Sequence, residues 1–246
     1  RDVVAACKLA IDEISENTEG YFERLQQAIS SAADRTMKVV ERVGSAATEA
    51  LMSIGRKEAM LATGFSDLDR ALGGGLRSTD LMIIGARPSV GKTAFAMNIA
   101  TNVALQGKVV SVYSMEMEQG ALLKRAAFSV ARASEHDILR SNEQATMRAL
   151  NAADRLGSVG LYIDDRGGLT ADQIRTSAIT IKSREKALDL IVIDYLQLMS
   201  CNGRKNGTRE QEVAEMSRAM KRLAMELKCP VILLSQLSRG IENRDD

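Results

Sequence analysis

Aromatic side chains make up only 3% of this 246-residue chain, and tryptophan is absent. Single-strand binders often stack bases on aromatic rings, so any nucleic-acid contact here is expected to fall mostly on phosphate. Cysteine is scarce as well. Cys7, Cys201 and Cys229 stand far apart with no C-x-x-C pair, so no disulfide framework is indicated and all three are read as reduced. The lone histidine, His136, has no partner at metal-ligand spacing, so no zinc site is indicated either. No apolar run approaches the ~20 residues of a membrane span. The opening Arg1-Asp2-Val3-Val4 lacks the regions of a secretory signal, so the expected location is cytoplasmic, with no membrane partner. An excess of one charge is missing too: 33 Lys+Arg against 32 Asp+Glu leaves a formal +1, which argues neither for nor against nucleic acid.

What is present is enough apolar material, 45% of residues, for a sizeable core. The length exceeds the usual single domain, which suggests one α/β core plus an appendage. From Val3 to about Ile14, Val4, Cys7, Ile11 and Ile14 fall at helical spacing before the polar break Ser15–Gly20, the pattern of an amphipathic helix on a tether. Its apolar stripe is expected to dock on a neighbouring subunit or to pack on its own domain. A second helical stretch runs from about Tyr21 to Met52. After the Gly73-Gly74-Gly75 turn the pattern alternates. Expected strands are Leu81–Ala86, Val109–Ser114, Gly160–Asp164, Leu188–Asp194 and Val231–Ser235; expected helices cover about 92–106, 118–132, 143–156, 170–186 and 209–228. Near-continuous Val/Ile/Leu strands between helices imply a mainly parallel, doubly wound sheet with its ligand at the strand C-termini.

The first strand runs into Gly85-Ala86-Arg87-Pro88-Ser89-Val90-Gly91-Lys92-Thr93-Ala94, a P-loop between strand and helix. Successive backbone amides and a helix N-terminus suit phosphate oxygens, a lysine suits the β/γ-phosphates and a hydroxyl suits Mg²⁺. In the usual G-x-x-x-x-G-K-[ST] spacing the first glycine falls on Ala86. Leu190-Ile191-Val192-Ile193 ends in Asp194, the form of a Walker B element whose carboxylate supports Mg²⁺. Glu116, just past another strand end, is a candidate to activate water, or else a helix-terminal acid favouring the dipole, a role Glu118 suits better. Gln236, ending the last strand, could sense the γ-phosphate. Arg204, Lys205 and Arg209, in and beside the polar loop 200–209, could meet nucleic-acid phosphate or simply be solvated.

Thr63-Gly-Phe-Ser-Asp-Leu-Asp69, the P-loop string, Tyr113-Ser-Met-Glu-Met117, Asp194-Tyr-Leu-Gln-Leu-Met199 and Leu234-Ser-Gln-Leu-Ser-Arg239 resemble, in that order, the motor domain of the DnaB-type replicative DNA helicases. The resemblance spans about Leu61 to Arg239, and the helix near residues 3–14 looks like that family's linker helix. It implies a RecA-like core within residues 61–246, preceded by a linker helix and tether (1–19) and a helical segment (20–60). It further implies a homo-hexameric ring, ATP hydrolysis with Mg²⁺ at subunit interfaces, and 5′ to 3′ movement on single-stranded DNA, with primase and a helicase loader as further partners. Carried over residue by residue, Lys92 and Thr93 become phosphate and Mg²⁺ ligands, Glu116 the catalytic base, Asp194 the Walker B carboxylate, Gln236 the γ-phosphate sensor and Arg125 a nucleotide contact. The string stops before the family's Arg-Glu-Ser-Gly loop and arginine finger; a protein ending there is expected to hydrolyse ATP poorly, since such a finger contributes ~10³–10⁵ in rate. A RecA-like ATPase of another kind and a non-hydrolysing ring module are the alternatives; turnover with and without DNA separates them.

Overall fold

Five apolar segments become strands: β1 (Leu81–Ala86), β2 (Val110–Ser114), β3 (Leu161–Asp164), β4 (Leu190–Asp194) and β5 (Val231–Gln236). The helices are α1 (Ser66–Ala71), α2 (Lys92–Leu105), α3 (Gln119–Ala131), α4 (Glu135–Leu139), α5 (Glu143–Gly157), α6 (Ala171–Glu185) and α7 (Arg209–Leu227). This computed structural model describes residues 60–194 and 209–236, all of them within one unit spanning residues 58–246. The helical stretches expected near residues 3–14 and 21–52 lie outside the described residues, as do Cys7 and Cys201.

The strands form one five-stranded sheet in the order β1-β5-β4-β2-β3, and every pairing is parallel. Side chains alternate across it. Val110 and Val112 of β2, Leu190 and Val192 of β4, and Ile232 and Leu234 of β5 point into a core shared with α2, α3 and Leu156 of α5. Their neighbours Tyr113, Ile191, Ile193, Val231 and Leu233 point to the other face, into a core shared with α6 and α7. A strand with helices on both faces has no polar side to show, which is why these segments read as unbroken apolar runs. Such a sheet puts Ala86, Ser114, Asp164, Asp194 and Gln236 along one edge, the usual ligand edge of a parallel α/β sheet.

Expected and observed elements agree to within about two residues at each end. The exceptions are α1 and α4, which the periodicity does not show because six and five residues are too few to display a repeat. Helix α4 has a local signal, a capping box in which Ser134 and Asp137 bond each other's backbone. Helix α1 is held instead by Thr63, whose amide and hydroxyl both donate to Asp69 Oδ1 at 2.8 Å. Phe65 then packs on Phe95 of α2 with ring centroids 5.0 Å apart. The Thr63–Asp69 string is thus a folding device that seats the start of the unit on α2.

Next to it, Leu61 and Leu76 exchange backbone hydrogen bonds of 2.8 and 2.9 Å. Gly75 between them has φ +133°, and a β-carbon there would meet the Leu61 carbonyl oxygen at 2.4 Å. The left-handed backbone alone costs a non-glycine residue about 1–3 kcal/mol, and the clash is with backbone that cannot swing aside. Gly75→Ala should therefore lose about 2 kcal/mol, lowering Tm by roughly 4–8 °C. An unchanged melting temperature would mean that the bridge yields without cost.

Cys229, fully buried beneath β5, is a packing residue. Burial pushes its thiol up to about 12, leaving no thiolate at neutral pH.

Candidate active site

The site forms where β1 hands over to α2. The loop turns through two left-handed residues, Ser89 (φ +64°) and Gly91 (φ +98°), and Gly91 is the N-cap of α2. A β-carbon on Gly91 would meet nothing within 4 Å, so glycine is required there by the backbone angle and not by space. Three helices, α1, α2 and α3, begin without a side-chain cap from their N-cap residue. Helices α4 and α6 close their N-termini with capping boxes and α5 with Asn142, whereas α2 has no side-chain cap and no acid in its first turn. Its leading amides and the positive end of its dipole are left for an anion.

The loop from β1 delivers the start of α2 to the end of β4. The first two side chains of the helix meet Asp194. Thr93 Oγ1 donates to Asp194 Oδ2 at 2.6 Å, and Lys92 Nζ stands 3.3 Å from Oδ1, with the two side chains 10% and 3% exposed. Oδ1 nonetheless accepts no hydrogen bond among the described residues; the lysine contact is charge against charge without a well-directed N–H. A carboxylate this deep costs several kcal/mol to desolvate. Here that cost is offset by one lysine facing Oδ1 and one hydroxyl on Oδ2.

The other sequence-derived residues take their places from the strands. Ala86 and Gln236 are register partners at the ends of β1 and β5. Ser114 and Asp194 are register partners at the ends of β2 and β4, and with Thr93 they surround one small gap in the packing beside Met97, Val112 and Leu234. The chain after β2 stays on β4, because the Met115 amide donates to the Asp194 carbonyl at 2.8 Å. That bond holds exposed Glu116 beside the Asp194 strand end. Arg87 to Gly91 and Ala94 are exposed around the loop. Arg125 is exposed on α3, and among the described residues no hydrogen bond or ion pair joins it to Lys92, Thr93 or Asp194. Arg204 and Lys205 lie outside the described residues, and Arg209 opens α7.

The sequence reading passed over the loop after β3. Asp164 holds Arg166 through a two-pronged contact, Nε to Oδ1 at 2.9 Å and Nη2 to Oδ2 at 2.6 Å. The hydrogen bond from Arg166 keeps the Asp164 carboxyl below the usual carboxylate range. The next residue, Asp165, accepts the Gln119 amide of α3 at 2.9 Å. An acidic pair at a strand end on the ligand edge was the available signal.

Comparison with known proteins decides the family. The model of the DnaB-like helicase C terminal domain matches residues 60–246. The chain belongs to the DnaB-like helicase C-terminal domain family. It is 43% identical over 189 residues to the replicative DNA helicase DnaC of Bacillus subtilis (strain 168), covering 76% of this chain and 41% of that protein. It is equally similar to the replicative DNA helicase DnaB of Geobacillus stearothermophilus, again 43% over 189 residues with the same coverage. The chain thus spans about two-fifths of the length of these curated relatives. Among solved structures, a DnaB-like replicative helicase, solved in a study of its interactions with primase, superposes with a TM-score of 0.74 at 26% identity, covering 100% of this chain and 59% of that one. These DnaB-like relatives are RecA-like, so the expected fold class stands, a parallel sheet between helical layers.

Proposed function

We propose that this chain is the motor portion of a replicative DNA helicase, a ring ATPase that moves 5′ to 3′ on single-stranded DNA and parts the duplex at the replication fork. The observation that carries the reading is the meeting of Lys92, Thr93 and Asp194 at an uncapped helix N-terminus on the ligand edge of a parallel sheet. An anion fits the bare amides of α2. A hard cation fits the oxygen pair of Thr93 and Asp194, one of whose oxygens is buried without a hydrogen bond. In this reading the phosphates of ATP would lie in the cradle of Ala86 to Ala94, and Thr93 and Asp194 would hold Mg²⁺, which when bound would supply positive charge against the phosphates.

The residues then divide the work. Lys92 leaves Asp194 to pair with the β/γ-phosphates. Glu116 orients the attacking water and accepts its proton, Gln236 reports the γ-phosphate from the neighbouring strand, and Arg125 is a further nucleotide contact. Arg204, Lys205 and Arg209 meet DNA phosphate in the channel.

Residues 61–246 are proposed as the motor, 20–60 as a helical lead-in, and 1–19 as a linker helix that docks on the adjacent copy in a hexamer. Supporting the last point, Leu139, Met147 and Leu150 of α4 and α5 are 77%, 57% and 59% exposed, an apolar surface of the kind a second subunit covers. Leu150→Glu should accordingly weaken ring assembly in sedimentation while leaving the fold intact; an unchanged ring would remove this face from the interface. A primase and a loader are proposed as further partners. Among the described residues no helix is long and apolar enough to cross a membrane, and the proposed location is the cytoplasm.

The test is steady-state ATP hydrolysis by the complete protein, titrated with single-stranded DNA, beside Lys92→Ala. Turnover stimulated by DNA and lost in the variant is the expected result. Turnover indifferent to DNA would point to a RecA-like ATPase of another kind, and no turnover to a passive ring.

A further inference from the structure

We propose that Ser114 and Asp165 are positioning residues for Glu116, the first closing the turn that carries it and the second anchoring the helix that follows. The inference rests on the reading of Glu116 as the base. Ser114, at the end of β2, is fully buried, and its hydroxyl spends both of its capacities on one residue. It donates to the Met117 carbonyl at 2.8 Å and accepts the Met117 amide at 3.2 Å. Glu116 therefore sits inside a turn tied shut by a side chain, itself tied to β4 through the Met115 amide.

The far side of the turn runs into α3. Its N-cap, Glu118, makes no side-chain cap bond of its own; the carboxylate of Asp165, 46 residues away in sequence, accepts the Gln119 amide instead. Helices α4, α5 and α6 are capped from within their own segments and α1 and α2 have no side-chain cap from their N-cap residues, so α3 differs in taking its acceptor from a distant loop. Its start is referred to the end of β3, where the Asp164–Arg166 contact stiffens the loop that presents Asp165. Glu116 is exposed. Its placement over the site thus depends on Ser114 before it and Asp165 after it. Misplacing a reacting group by 1 Å can cost on the order of 10²-fold in rate, so this dependence has a kinetic consequence.

The experiment uses the complete protein with single-stranded DNA, reading kcat, KM for ATP and the affinity for a non-hydrolysable ATP analogue. Ser114→Ala and Asp165→Ala should each lower kcat about tenfold, part of the 10²–10⁴ a general base contributes, with KM and analogue affinity within about twofold. Asp165→Asn, which keeps an oxygen acceptor, should restore most of kcat. In single-turnover measurements, adding Ser114→Ala to Glu116→Gln should cause no further loss, because the turn then has no base to position. A purely structural role would instead lower analogue affinity and give additive losses in that background, and would overturn the proposal. Wild-type kcat in both alanine variants beside an inactive Glu116→Gln would also overturn it, leaving the base reading intact. Full activity of Glu116→Gln would overturn the base reading itself. Asp165 is exposed, so its variants test the idea even if the buried Ser114→Ala folds poorly.

Discussion

Replacing Glu116 with glutamine should lower ATP hydrolysis by about 10²–10⁴-fold, the contribution of a positioned general base, while nucleotide affinity stays within about twofold. The substitution keeps size and shape and removes only the charge and basicity of the carboxylate. Glu116 is exposed beyond the end of β2, so stability should move by no more than about 0.5 kcal/mol. The contrast with Lys92→Ala is the informative part. Lys92 is proposed to touch phosphate, so its loss should appear in binding; Glu116 is proposed to touch only the attacking water, so its loss should appear in turnover. Single-turnover hydrolysis with a parallel titration of fluorescent nucleotide separates the two. A variant that still hydrolyses ATP near the normal rate would send the role of base to another group on the same edge.

Much of this architecture was legible from residue order because its causes are local. β4 and β5 bury both faces, so Leu190–Ile193 and Val231–Leu234 could hardly be anything but interior strands. Gly91, Lys92 and Thr93 are adjacent in sequence and together form the start of α2, which makes a P-loop readable as a string. Asp194 was legible because a carboxylate ending an unbroken apolar run is conspicuous. Part of what was hidden depends on distance. Nothing near Gln119 says that its amide is capped from Asp165, and nothing near Ser114 says that its hydroxyl folds onto Met117 and not onto the sheet. The first follows from strand order, since β2, which leads into α3, pairs with β3, and that order is invisible in one dimension; the second is a turn between residues three apart, which carries no periodic signal. Helix α4 was missed for a like reason: a single capped turn has no period.

Asp194→Asn should separate metal from nucleotide. With Mg²⁺, hydrolysis should fall by roughly 10² or more, since a neutral amide would replace the carboxylate proposed to hold the cation, and electrostatic stabilisation dominates catalysis of phosphoryl transfer. Without Mg²⁺, in excess chelator, ATP affinity should rise several-fold. The physical reason lies in the contacts observed. Lys92 stands 3.3 Å from Asp194 Oδ1, so a triphosphate must compete with a buried carboxylate for that lysine, and the same carboxylate repels the phosphate when no cation lies between them. Asparagine removes both penalties, and Thr93 can still donate to its carbonyl oxygen. Breaking a buried pair by removing one partner commonly costs about 3–5 kcal/mol, and with the two side chains 10% and 3% exposed a loss of that order is expected. Nucleotide titrations in chelator and in Mg²⁺, beside thermal melts, read all three quantities. Equal responses to Mg²⁺ in the variant and the parent would remove Asp194 from the metal site and leave it a structural partner of Lys92 and Thr93.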